Sequence, residues 1–149
     1  MLFDKYHNKY IVKGILKANT PLHIGAGEDS FNPIQTDKGV IVDHNGKPYI
    51  PGSSLKGVLR TNVETMINSG VVFNDRFKSC LIVNNPCLIK ERVDEIKNKY
   101  KGDNSNKDLK IAQEIYKEMC DVCKIFGSNY FASKISIRDC TLRSEKAYI

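Results

Sequence analysis

Apolar and polar positions change period several times along the chain, and each change marks an element. From Tyr10 to Lys17 the run Tyr-Ile-Val-Lys-Gly-Ile-Leu-Lys is β-branched and apolar with lysine interruptions, which predicts a strand running on toward Leu22. Residues 24–39 break that pattern. Gly25, Gly27, Asp29, Ser30, Asn32, Pro33 and Gly39 make a loop too long for a simple turn, and loops of this length in compact domains often carry function. Val40-Ile41-Val42 and Pro48-Tyr49-Ile50 flank Asp43-His44-Asn45-Gly46, where Asn-Gly signals a hairpin turn. The hairpin feeds a helix predicted over 53–68, ended by the glycine C-cap arrangement Asn68-Ser69-Gly70. An irregular stretch, 71–89, holds Cys80 and Cys87. A polar helix with Val93 and Ile96 on its apolar side is predicted over 90–101, and a second over 107–118 after the solvated loop 102–106. Residues 120–128 read as a knuckle-like turn. Residues 132–143 alternate apolar and polar side chains, the clearest strand pattern in the chain.

The junction between hairpin and helix holds the most specific chemistry. In Pro48-Tyr49-Ile50-Pro51-Gly52-Ser53-Ser54-Leu55-Lys56-Gly57-Val58-Leu59-Arg60, the two prolines forbid a helix before residue 52 and Gly52 permits a tight turn. Ser53 or Ser54 is a favoured N-cap, and the first amides of the helix present partial positive charge to an anion such as phosphate. Lys56 and Arg60, four apart, share a helical face and extend that grip along a nucleic-acid backbone, with Leu55, Val58, Leu59 and Val63 filling the other side. The plainer alternative is a well-capped surface helix with two solvated cations.

Composition narrows the partners. The 149 residues suit one domain, and 41% hydrophobic with 27% charged residues describes a soluble globular protein. No apolar run is long enough to cross a bilayer and the start lacks a signal-peptide core, so a cytoplasmic location without membrane contact is expected. A net charge of +6 and a pI near 9.0 favour a polyanionic partner. Five cysteines without a secretion signal argue for reduced thiols or metal ligands rather than a disulfide framework. Cys120-x-x-Cys123 has the spacing of half a zinc site, and Cys80 and Cys87, more widely spaced, could supply the other half. Buried, unligated thiols are the alternative; a thioredoxin-like redox role lacks its βαβ context. A structural Zn²⁺ would staple 71–89 to the end of the second polar helix. Cys140 reads as core. His23 lies beside the glycine-rich loop, where it could approach a nucleic acid, and all three histidines, His7 and His44 included, read as solvated or packed rather than catalytic.

Three segments together carry a family likeness: Pro21-Leu22-His23-Ile24-Gly25-Ala26-Gly27, Tyr49 through Arg60, and Ile125-Phe126-Gly127-Ser128 followed by Ser133-Lys134-Ile135-Ser136-Ile137-Arg138-Asp139. In order and spacing they resemble the RAMP superfamily, more narrowly the repeated backbone subunits of type III CRISPR effector complexes. The resemblance implies an α+β, ferredoxin-like (RRM-type) fold in a single domain over 1–149, with a β-hairpin insertion and a zinc-knuckle-like helical insertion at 71–128. It implies assembly with other RAMP subunits along a CRISPR RNA, with Ser53, Ser54, Lys56, Arg60 and His23 as RNA-binding residues. Zinc in a comparable insertion occurs in some members, which favours Zn²⁺ on Cys80, Cys87, Cys120 and Cys123. In target-cleaving members a loop aspartate, with Mg²⁺ or another divalent cation, cuts the bound target RNA. Matched back from residue 48, the family's Asp-x-x-Val-Ile-x-Asp segment falls on 37–43, which makes Asp37 the candidate catalytic residue and Asp29 the reserve. Gly39 and Val42 stand where the family usually has proline and arginine. A guide-directed endoribonuclease subunit is therefore expected, with a non-catalytic RNA-backbone module or a small zinc-stapled adaptor as alternatives. A full βαββαβ domain needs more chain than follows residue 143, so incompleteness at the C-terminus and obligate assembly are also expected.

Overall fold

A computed structural model describes residues 7–25, 39–70, 76–102 and 106–143. In chain order its elements are β1 (Tyr49–Ile50), α1 (Gly52–Asn68), α2 (Lys90–Lys99), α3 (Lys107–Glu118), α4 (Asp121–Phe126) and β2 (Cys140–Thr141). The class is α+β. By contacts the chain divides within α1 into two compact units, one of residues 1–9 and 58–136, the other of 10–57 and 137–149.

The first unit is helical and holds the core. Leu88, Val93, Ile96, Ile115, Met119, Cys120, Val122, Cys123 and Phe126 are buried together. Val93 and Ile96 are three apart on α2, so one turn presents both to α3 while the charged residues between them face water. Full burial of each contributes about 1.5–3 kcal/mol. Arg92 pairs with Glu118 and Lys99 with Glu114 (2.8 Å), so α2 and α3 run antiparallel. The second half of α1 meets this core through Val63 and Ile67. Val58 and Leu59, expected inside, are 59% and 43% exposed. The inward positions are Arg60, Val63, Glu64 and Ile67, a helical stripe whose two polar members neutralise each other.

Residues 120–128 contain a helix where a knuckle-like turn was expected. The Cys120 side chain accepts from the Cys123 amide (3.4 Å) and so caps α4, which ends at Gly127. Gly127 has φ of +90°, and a Cβ there would lie 3.0 Å from the Ser133 nitrogen. Only glycine fits that turn without strain.

In the second unit β1 and β2 pair antiparallel, Tyr49 opposite Thr141 and Ile50 opposite Cys140. Of the strand expected over 132–143, only Cys140–Thr141 joins a ladder, although burial still alternates from 132 to 138. Cys140 is half-buried rather than fully in the core. The turn at 43–47 forms as expected: Asp43 Oδ1 accepts from the amides of Asn45 (2.8 Å) and Lys47 (2.9 Å), and Val42 bridges Pro48. No strand covers 10–17. Tyr10, Ile11, Val12 and Ile15 are 85%, 68%, 95% and 70% exposed. Strand propensity records a fit to a pleated surface, and among the described residues no neighbour supplies a ladder to this run.

Candidate metal centre and nucleic-acid interface

Four cysteines converge in the first unit. The sulfurs of Cys80, Cys87, Cys120 and Cys123 all lie within 4.8 Å of one another, and all four thiols are free. Local structure explains how they meet. A turn at 81–85, closed by Asn85 N donating to Leu81 O (2.7 Å), lets the chain double back between Cys80 and Cys87. Lys78 and Asp121 exchange bonds, Lys78 N to Asp121 Oδ2 (2.9 Å) and Asp121 N to Lys78 O (3.0 Å), which seats Cys80 against the start of α4. There Cys80 Sγ lies 3.5 Å from the sulfurs of both Cys120 and Cys123. Zinc–sulfur bonds of about 2.3 Å in a tetrahedron place sulfurs about 3.8 Å apart, so a small adjustment of this set accommodates a metal ion. Soft sulfur donors on every side suit Zn²⁺ and not a hard oxygen-seeking cation.

The electrostatics of the cluster are divided. Burial pushes the Cys80 thiol up to about 11, and burial together with the neighbouring sulfurs raises Cys123 further. Burial also works against the Cys120 thiolate, but the Cys123 amide and the contact to Cys80 outweigh it, and its thiol lies below the ordinary value.

Arg60 does not stand free beside Lys56. Its Nε donates to Glu64 Oε1 (2.7 Å), Nη1 to the Gly127 carbonyl (2.8 Å) and Nη2 to Cys123 Sγ (3.1 Å). Its side chain is only 14% exposed and that of Glu64 8%. Burial opposes the charge, yet the bonds to Glu64 and Cys123 outweigh it and hold the guanidinium protonated. The reason is geometric: position 60 falls on the inward stripe of α1, where a long planar donor reaches the Phe126-Gly127 turn. Sequence reading missed Glu64 as its partner; the i, i+4 spacing was the available signal.

The helix start in the second unit is also built differently from the expectation. Gly52, not Ser53 or Ser54, opens α1, and its amide donates to Asp139 Oδ1 at 2.7 Å. A Cβ on Gly52 would sit 2.2 Å from the Ile137 carbonyl oxygen, so glycine is required for this close approach. Asp139 is a further residue that sequence reasoning did not pick out as functional; its signal was its place at the end of the third family-like segment. Ser53 and Ser54 sit exposed in the first turn, and Lys56 has no hydrogen-bond or ion-pair partner among the described residues. His23 is exposed just before Gly25, which bridges Val40, and Ile41 N donates to Ile24 O (3.0 Å). These contacts join the two ends of the segment that contains Asp29 and Asp37. Both aspartates lie outside the described residues.

The second and third family-like segments thus touch at Arg60–Gly127 in one unit and at Gly52–Asp139 in the other. Comparison with known proteins agrees with the family likeness. The model of the RAMP superfamily matches residues 15–147. The chain is 39% identical over 61 residues to the CRISPR system Cms endoribonuclease Csm3 of Methanothermobacter thermautotrophicus, covering 40% of this chain and 25% of that protein. It is 43% identical over 56 residues to the protein of the same name from Methanocaldococcus jannaschii, covering 38% of this chain and 23% of that one. The chain spans about a quarter of the length of the curated relatives it matches. Among the described residues no helix is long and apolar enough to cross a membrane.

Proposed function

We propose, since this chain belongs to the RAMP superfamily, that it is an RNA-binding backbone subunit of a type III CRISPR interference complex, built on the ferredoxin-like plan of that family. The observation that carries the reading is the helix start of α1. Gly52 packs against the Ile137 carbonyl and bonds Asp139, and the side chains of Ser53, Ser54 and Lys56 have no hydrogen-bond partner among the described residues. A phosphodiester backbone supplies the acceptors these donors lack. His23, exposed beside Gly25 in the same unit, contributes to the same strand contact. The net charge of +6 adds a field that attracts RNA. Zn²⁺ on Cys80, Cys87, Cys120 and Cys123 supports the helical first unit and takes no part in the chemistry.

The cleavage reading rests on the similarity to proteins named as endoribonucleases. RNA carries its own nucleophile in the 2′-hydroxyl, so the protein need only enforce in-line geometry and place a carboxylate at the reacting group. Asp37 fills that role, as the base or as a ligand of Mg²⁺ or another divalent cation, which would neutralise charge on the scissile phosphate. The test is a complex reconstituted with its partner RAMP subunits, CRISPR RNA and target RNA. Asp37→Ala is expected to slow target cleavage by about 100-fold or more with RNA retention unchanged. Lys56→Glu is expected to weaken RNA binding and to reduce the slope of its salt dependence by about one. Undiminished cleavage by Asp37→Ala removes the assignment of catalysis to this residue; unchanged binding by Lys56→Glu removes the helix start from the interface.

A further inference from the structure

The guanidinium of Arg60 reaches the cysteine cluster at Cys123, with Nη2 3.1 Å from Sγ. Each edge of the guanidinium has one partner, the Glu64 carboxylate, the Gly127 carbonyl or the Cys123 sulfur. An arginine nitrogen 3.1 Å from the Cys123 sulfur places a charged donor where a metal-bound thiolate would accept one. Four thiolates around one divalent cation carry a net charge of two minus, and a buried anion of that size requires donors around it. The Cys123 amide reaches Cys120 Sγ (3.4 Å) and the Cys120 amide reaches Cys87 Sγ (3.5 Å), both neutral donors. Among the described residues Arg60 supplies the charged one.

We propose that Arg60 is the outer-sphere cation of the metal centre, a positioning residue that bonds the Cys123 sulfur and offsets the charge of the loaded cluster. Glu64 and Gly127 fix its orientation. The inference rests on reading the four cysteines as a Zn²⁺ site, and it moves Arg60 from the RNA surface to the metal. Removing Arg60 alone strands the Glu64 carboxylate, so the informative variant is the charge-neutral pair Arg60→Gln with Glu64→Gln, with Glu64→Gln alone as the control that keeps the Arg60–sulfur contact.

Zn²⁺ affinity of the full chain is measured by competition with a chromophoric chelator, and thiolate ligation by the charge-transfer absorption of the Co²⁺-loaded protein. The double variant should lose about 10- to 100-fold in Zn²⁺ affinity and shift the Co²⁺ charge-transfer band, while Glu64→Gln alone stays near wild type. A folded double variant with wild-type affinity and an unmoved band overturns the proposal. Should that variant fail to fold, the wild-type chain loaded with ¹¹³Cd²⁺ decides: a correlation between an Arg60 guanidinium proton and the metal supports the contact, and its absence overturns it. Failure of the wild-type chain to bind Zn²⁺, Co²⁺ or Cd²⁺ removes the metal reading itself, a result distinct from binding that is indifferent to Arg60.

Discussion

A methyl group on Gly52 would lie 2.2 Å from a backbone carbonyl oxygen that belongs to Ile137, and neither partner is a flexible side-chain end. Gly52→Ala must therefore push the start of α1 away from the segment leading to β2, breaking the Gly52–Asp139 bond as it does so. Strain of that kind typically costs about 1–3 kcal/mol, measurable as a lower urea midpoint, with RNA binding weakened alongside. A variant as stable as the parent would show that the close approach is dispensable. The sequence marked Gly52 for a tight turn ahead of the helix, whereas the structure makes it the first residue of α1 and needs glycine for the close approach to Ile137. Its partner was not legible: Asp139 lies 87 residues away, and no local pattern ties a carboxylate to a particular amide at that separation. Arg60 was misplaced for a related reason. Two polar residues on an inward stripe, Arg60 and Glu64, look like surface until their mutual pairing and the Gly127 carbonyl are seen.

At the scale of elements, α2 and α3 were legible almost to their ends, since a 3.6-residue period with Val93, Ile96 and Ile115 inward needs no distant information. Strands fared worse. The runs at 10–17 and 132–143 carry the right residues, but a ladder depends on a second segment, and the sequence does not name it. The helix pair also carries a pH dependence. Lys99 and then Tyr100 bond Glu114, and Arg92 bonds Glu118, so both carboxyls lie below the ordinary carboxylate range. Groups depressed in this way add stability above the unfolded value near pH 4.3, and that contribution is lost as pH falls through the lower folded values. Pairing of α2 with α3 should weaken in acid, read as faster amide exchange at Ile96 and Ile115. Replacing Glu114 and Glu118 with glutamine should flatten that acid response, and an unchanged profile would assign it to other groups. Because both pairs are exposed, the effect should shrink in high salt.

For the molecule as a whole, the division into two units makes stability a local quantity. Two of the proposed zinc ligands, Cys120 and Cys123, are also members of the buried core, so metal and hydrophobic packing are not separable in the first unit. Chelating the metal should therefore collapse exchange protection at Val93, Ile115 and Val122 while leaving the amides of Tyr49–Ile50 and Cys140–Thr141 at their original rates. Equal loss in both units would mean that they unfold as one. The Gly52–Asp139 bond has a consequence for the order in which the chain is made. The Gly-Ser-Ser-Leu-Lys segment leaves the ribosome long before residue 139 exists, and closing a contact across 87 residues is slow as well as late. Through most of its synthesis the nascent protein carries the residues of this junction without the junction, so the proposed RNA contact would form only after translation has passed the second strand.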